Sequence, residues 1–257
     1  MPCPFPFPFP AAVSDTVSVQ VTYINPDPAS NRLLAVLPRA NRRRFLAACE
    51  PVELAFAEPM AEPGDRIRHV WFPTGGFISL IQPIDGAAGL EVGLIGDEGM
   101  LGIPVMLGVD VWPLKAVVQG AGPALRMQAA QFRRELAAST ALQRVLKRYV
   151  YVTMRQLAQT AACTRFHLLE PRLARWLLMT QDRAHSDAFH VTQEFLADML
   201  GVRRVGVTKA AMALQAGRLI RYHRGNITVV DRDGLEAVSC GCYAADRATY
   251  ATTMGPT

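Results

Sequence analysis

The fold is decided by Val191–Val230, VTQEFLADMLGVRRVGVTKAAMALQAGRLIRYHRGNITVV. Thr192 suits an N-cap, because its hydroxyl can accept from a free amide of the first turn, and Glu194 puts a negative charge at the positive end of the helix dipole. The helix they begin should run to Leu200, where Gly201 stops it. A second helix is expected from about Arg203 to Gln215, with Gly217 at its end and Val207, Ala211 and Leu214 on its buried face. Two helices joined across a tight glycine turn, the second opening on Arg-Arg, make a helix-turn-helix pattern. Beyond it, Ile220–Tyr222 and Ile227–Val230 are β-rich and separated by His-Arg-Gly-Asn, which predicts a hairpin, or wing, with Gly225 and Asn226 supplying the turn.

Charge points the same way. Over the whole chain the formal charge is only +5, which says little about partners. Its distribution says more: Met199 to Val230 contains no Asp or Glu, yet holds Arg203, Arg204, Lys209, Arg218, Arg221 and Arg224. A field of one sign favours a polyanion, and the phosphate backbone of double-stranded DNA is the first candidate. A helix pair with a hairpin can also serve only to bind proteins, but the acid-free, base-rich surface favours nucleic acid. A recognition helix enters the major groove with its N-terminal turn leading, so Arg203, Arg204, Thr208 and Lys209 are placed to reach base edges. Adjacent helical residues diverge by about 100°, so a phosphate contact is as good a role for Arg203 as a base contact. Thr192 at the first helix, with Arg221 and Arg224 on the wing, completes the expected DNA-facing set.

Working outward, 257 residues suggest two domains. Between Val52 and Met127 short β-type runs alternate with Gly, Pro and Asp, the pattern of a sandwich, barrel or roll, with corners at Gly75-Gly76, Asp85-Gly86 and Gly120-Ala121-Gly122. Asn31 to Cys49 reads as one or two short helices with a basic face. From Ala130 to Cys163 there is no Gly or Pro, which predicts one long helix or two pieces of one. Leu142, Leu146, Tyr149, Thr153, Gln156 and Thr160 follow a 4-3-4-3-4 spacing along it, a coiled-coil-like seam expected to pair two copies as a homodimer. Five cysteines, Cys3, Cys49, Cys163, Cys240 and Cys242, form no disulfide framework, so a reducing cytoplasm fits. No apolar run of about eighteen residues is present to span a membrane.

The order of these parts, and QEFLADMLGVRR followed by LIRYHRGNITVVDRDGL in particular, resembles the Crp/Fnr family of bacterial transcription regulators over about Asn31 to Tyr243. The resemblance implies an α+β chain: a disordered Pro-rich tail over 1–30, a cupin-like antiparallel β-roll over 31–135, a long dimerisation helix over 136–166, a winged helix-turn-helix over 167–243, and a flexible C-terminal tail over 244–257. It implies a phosphate contact for Gln193, base reading by Arg204 and Lys209, and RNA polymerase as a partner. Where family members often carry an acidic reader of cytosine, this chain has Val205, so its operator should differ.

The same comparison gives the roll a candidate effector pocket at Glu98, Gly99, Met100, Gly102 and Lys115, and at once weakens it. Met100 stands where a ribose-binding Glu belongs, no Arg occurs between Arg68 and Arg126, and Lys115 is the only Lys there. A buried phosphate without a partner charge costs several kcal/mol, so cAMP binding of the usual kind is not expected. An iron–sulfur cluster needs about four grouped thiolates, and the N-terminal half offers only Cys3 and Cys49. No cofactor is therefore expected. A metal-dependent cupin enzyme would need two or three His with a carboxylate inside the roll, which holds only His69; His167, His185, His190 and His223 are scattered outside it. Neither an enzyme nor a metal site is expected; the Cys240-x-Cys242 pair leaves a metal or redox role open, but by spacing alone such lone pairs are more often inert. A regulator acting through a protein bound at the roll is the remaining alternative.

Overall fold

The computed structural model describes residues 31–85 and 87–255; the Pro-rich tail expected over 1–30 and the glycine of the Asp85-Gly86 corner lie outside the described residues. The chain begins with two short helices, α1 (Arg32–Ala35) and α2 (Arg39–Ala47). Asn31 anchors them. Its Oδ1 accepts from the amide of Leu34 at 3.1 Å, while its Nδ2 donates to the carbonyls of Pro73 at 2.8 Å and Gly99 at 3.0 Å, so a buried amide is paired at both ends.

Seven strands build the roll: β1 (Glu50–Leu54), β2 (Pro59–Ala61), β3 (His69–Pro73), β4 (Phe77–Ile84), β5 (Ala87–Ile95), β6 (Lys115–Gly120) and β7 (Gly122–Gln128), with a short helix α3 (Ile103–Met106) after β5. They form two antiparallel sheets, β1-β7-β3 and β2-β6-β4-β5. Sequence reading finds the runs of β3 to β7 but not β1 and β2. β1 carries Pro51 and two glutamates and exposes three of its five residues, and β2 is three residues long and opens on Pro59, so neither shows a β-type apolar run. Two expected corners meet backbone to backbone: a Cβ on Gly122 (φ 153°) would lie 2.7 Å from the nitrogen of Gly76. Phe72 on β3 fills the roll, meeting Phe45 edge-on at a centroid distance of 5.3 Å and Phe132 at 6.4 Å.

The long helical stretch is in two pieces, α4 (Ala129–Ala138) and α5 (Thr140–Phe166). Ser139 makes the break, leaving the helical conformation and capping α5 by accepting from the amide of Leu142 at 3.2 Å. The seam expected to pair two copies is filled from within the chain. Leu142, Leu146 and Tyr149 are buried in the core of the roll, Thr160 accepts from Arg175 at 3.3 Å, and Gln156 faces a cavity shared with the C-terminal helix. A regular helical spacing cannot distinguish an intramolecular from an intermolecular groove, and here the roll takes it. The face of α5 left in solvent carries Tyr151, Met154, Leu157, Ala158 and Ala161.

After α5 come α6 (Leu169–Ala184), β8 (Ala188–His190), α7 (Gln193–Leu200), α8 (Arg204–Ala216), β9 (Ile220–His223), β10 (Asn226–Val229) and α9 (Arg232–Val238). They surround a second apolar core that includes Leu173, Leu177, Leu196, Val207, Leu214 and Ile227. The residues expected as a flexible C-terminal tail instead form α10 (Cys242–Met254), packed on α5. Tyr243, Tyr250 and Met254 lie on one helical face and are buried, and the Tyr250 hydroxyl donates to the Glu98 carbonyl at 2.9 Å. The stretch reads as a tail because its remaining residues are Ala, Thr and charges, with apolar anchors too sparse to show a period.

Polar contacts join the two cores. Glu91 on β5 accepts from the indole of Trp176 on α6 at 2.8 Å and from the hydroxyl of Ser79 on β4 at 2.6 Å. Glu98 receives two bonds from the guanidinium of Arg183 on α6, at 2.9 and 2.6 Å.

Candidate nucleic-acid interface

Helices α7 and α8 are set by local chemistry. Thr192 Oγ1 accepts from the amide of Phe195 at 3.1 Å, and Gly201 closes α7 in the left-handed region at φ 63°. Arg172 on α6 donates to the Leu200 carbonyl at 2.6 Å, so the end of α7 has a partner that also fixes where the turn lies. Arg203 is the N-cap of α8, one residue later than the expected helix start, and Val207, Ala210, Ala211 and Leu214 seat the helix on the core.

On the opposite face of α8, Val205, Lys209 and Met212 are exposed, Val205 60 % and Met212 62 % accessible, and Arg204 is exposed at the first residue of the helix. Among the described residues no carboxylate pairs with Arg203, Arg204, Lys209, Arg221 or Arg224, whereas Arg175 pairs with Asp246, Arg183 with Glu98, and Arg232 with both Asp182 and Glu236. Thr208 differs from the expectation of a base reader. It is half-buried, and its hydroxyl donates to Oε1 of Gln193 at 2.7 Å. Thr192 likewise spends its hydroxyl on capping.

The wing is β9 and β10, extended by β8 to a three-stranded sheet. His223 pairs with Asn226, so the loop is Arg224-Gly225, with φ of 47° and 81°, and not Gly225-Asn226. Two successive left-handed residues give the turn whose twist matches the strands it joins. Arg221 and Arg224 are exposed on this wing. Burial raises the Tyr222 hydroxyl above its usual range against the nearby charge of Arg204, and this hydroxyl donates to the Val191 carbonyl at 2.8 Å, tying the wing to the start of α7.

The residues expected as an effector pocket do not converge on one space. Met100 is fully buried in the roll core, and its amide donates to the Tyr149 hydroxyl at 3.2 Å. Gly99 lies under the same ring, where a Cβ would come within 2.1 Å of the hydroxyl oxygen. Gly102 packs on Val70, Lys115 pairs with Glu62 at 2.9 Å, and Glu98 is committed to Arg183. Tyr149 of α5 and Arg183 of α6 thus take up Gly99, Met100 and Glu98. A cavity of about 640 Å³ opens elsewhere, between the loop after β5, α6 and α10, lined by Arg32, Asp97, Glu98, Arg183, His185 and Tyr250. There the imidazole of His185, donating to the Asp97 carboxylate, is raised above its usual range.

Sequence reasoning missed one grouping. Cys163, His167, Cys240 and Cys242 come together at the end of α5, although they lie more than seventy residues apart in two pairs. The signal was the C-x-C pair, whose partners only the tertiary structure supplies.

Residues 171–238 match the family model of the Crp-like helix-turn-helix domain. No curated protein matches the sequence. Among solved structures, the chain is similar to FixK2 from Bradyrhizobium japonicum, at 12% identity and TM-score 0.64, over 75% of this chain and 98% of that one. It is similar to CLP, the c-di-GMP-responsive global regulator of Xanthomonas campestris, at 15% identity and TM-score 0.62, over 75% of this chain and 99% of that one. A transcriptional regulator of the CRP family from Thermus thermophilus matches at 18% identity and TM-score 0.61, over 73% of this chain and 96% of that one. At such identities these likenesses establish the shared fold.

Proposed function

We propose that this chain, which shares the fold of Crp/Fnr regulators and carries a Crp-like helix-turn-helix domain, is a DNA-binding transcription regulator of that type, working as a homodimer that reads a near-palindromic site without control by cAMP. The carrying observation is the exposed, carboxylate-free set Arg203, Arg204, Lys209, Arg221 and Arg224 on α8 and the wing. In this reading Arg204 and Lys209 contact base edges, Gln193 contacts phosphate, and Arg221 and Arg224 follow the backbone beside the groove. Val205, exposed between the two basic readers, offers only methyl groups, which suit a thymine methyl and cannot accept from a base amine.

The dimer would form through the solvent face of α5, with Tyr151, Met154 and Leu157 at its centre, and present two recognition helices about 34 Å apart to successive major grooves. Independence from cAMP is supported by the commitments of Glu98 to Arg183 and Lys115 to Glu62 and by the burial of Met100. RNA polymerase is the further partner the family resemblance suggests, and the cytoplasm the matching compartment. Among the described residues no helix is long and apolar enough to cross a membrane.

Selection of bound fragments from genomic DNA, followed by anisotropy titration of the recovered site, tests the reading. It requires a two-fold symmetric motif and a preference for that duplex over heparin. Equal binding to heparin and to every duplex at low salt would defeat it. Calorimetry with cAMP should give no heat of binding.

A further inference from the structure

The end of α5 and the turn between α9 and α10 gather four soft ligand atoms. Cys163 and His167 are four residues apart at the end of α5, His167 being its C-cap, and so lie on one side of it. Cys240 and Cys242 flank Gly241 in the facing turn. Sγ of Cys163 is 3.5 Å from Sγ of Cys240, Sγ of Cys242 is 3.4 Å from Nδ1 of His167, and all four ligand atoms lie within 4.8 Å of one another. Tetrahedral zinc, with bonds of about 2.3 Å to sulfur and about 2.0 Å to nitrogen, sets ligand atoms roughly 3.5–3.8 Å apart. Two of the separations already have that size.

Packing does not account for the cluster. The three thiols form a buried group of their own, separate from both apolar cores. Gln159 Nε2 donates to Cys242 Sγ at 2.9 Å, the kind of outer bond that a metal-bound thiolate accepts. His167 is exposed, which leaves a path from solvent.

We propose that Cys163, His167, Cys240 and Cys242 form a tetrahedral site for a thiophilic divalent cation, zinc, which clamps the C-terminal end of α5 to the α9–α10 turn. Three sulfurs and an imidazole select zinc over magnesium or calcium, which take oxygen ligands. On binding, thiol protons leave to solvent as the sulfurs become thiolates, the imidazole binds neutral through Nδ1, and no electron is transferred. The clamp stands at the junction of the two helices, where only His167 and Leu168 separate α5 from α6.

The test uses the full chain purified without chelator. Native mass spectrometry should find one zinc per chain, and the cobalt-substituted protein should show thiolate-to-cobalt charge transfer with the strong d–d bands of a tetrahedral ion. Cys242→Ala and His167→Ala should lose the zinc or weaken its binding at least tenfold, whereas Cys49→Ala, outside the cluster, should keep it. Because a cysteine variant can misfold, thiol alkylation of the wild-type chain is the second measurement: three thiols should be protected with zinc and released by chelation, with a fall in Tm. Zinc bound no more tightly by wild type than by the double variant Cys163→Ala/Cys242→Ala would overturn the site. So would a chain two hydrogens lighter, with a Cys163–Cys240 disulfide that zinc and mild reductant leave intact.

Discussion

The hydroxyl of Thr208 on α8 lies 2.7 Å from Oε1 of Gln193 on α7, joining the recognition helix to the first helix of the pair. Its oxygen accepts this bond, so in the proposed phosphate contact the NH2 group of Gln193 is the donor. Thr208→Val should therefore weaken binding to all duplexes alike, by about 1 kcal/mol or roughly fivefold, the net worth of one such bond. Anisotropy titrations across a mutated operator series measure it; a change confined to one base pair would count against the assignment.

Arg204 should behave in the opposite way. Arg204→Ala removes a base contact worth roughly 1–3 kcal/mol and should flatten preference at one position of each half-site. Next to it, Val205→Glu supplies the acceptor the natural chain lacks, so selection from random duplexes should gain a cytosine there, one base step from the Arg204 position.

The two faces of α5 make separable predictions. Leu146 is fully buried in the roll, so Leu146→Ala should cost about 2–5 kcal/mol of stability in urea titrations and leave association unchanged. Met154 is 64 % exposed, so Met154→Glu should leave stability nearly unchanged and give a monomer in analytical ultracentrifugation. A monomeric wild type would remove the dimer from the proposal.

Glu91 should make stability depend on pH. Burial pushes its carboxyl from the usual 4.5 up to about 7, opposed by the hydrogen bonds from Ser79 and Trp176. Between these values the folded chain keeps a proton that the unfolded chain has released, so stability falls as pH rises from about 4.5 to about 7, by roughly 3 kcal/mol, and then levels. Glu91→Gln can still accept from Trp176 and should remove that slope. Urea titrations of both chains at about pH 5 and about pH 8 compare them, and equal slopes would exclude Glu91 as the source.

Gly99 has no room for a side chain, since a Cβ would come within 2.1 Å of the Tyr149 hydroxyl oxygen. Gly99→Ala should cost about 1–3 kcal/mol by overpacking, and combination with Tyr149→Phe, which removes that oxygen, should recover part of the loss. Additive losses in thermal unfolding would show that the two residues do not press on each other.

How much could be read in advance depended on the range of the forces involved. Thr192, Gly201 and the residues around Gly225 act within one turn of backbone, so the boundaries of α7 and the existence of the wing were legible in the sequence. The wing loop moved by one residue, to Arg224-Gly225, because strand pairing settles the register. The exposure of Lys209 on α8 was legible too, since a helix with Val207, Ala211 and Leu214 inward must turn it outward; Arg204, seven residues before Ala211, shares the inward side by period and is exposed as the first residue of the helix. Strands β1 and β2 were not, because one is broken by Pro51 between two glutamates and the other is only three residues long, too short to show a period.

The sequence alone determined the helix-turn-helix, the wing and their concentration of positive charge, all of which follow from caps, turns and a local absence of acids. The tertiary structure decided what fills each groove. It placed Leu142, Leu146 and Tyr149 against the roll, folded 242–254 as a helix on α5, closed the expected effector pocket around Glu98 and Arg183, and brought Cys163 and His167 to Cys240 and Cys242. A periodic face or a lone pair of cysteines shows that a partner is wanted; which atoms supply it depends on contacts between residues far apart in the chain, which no local pattern encodes.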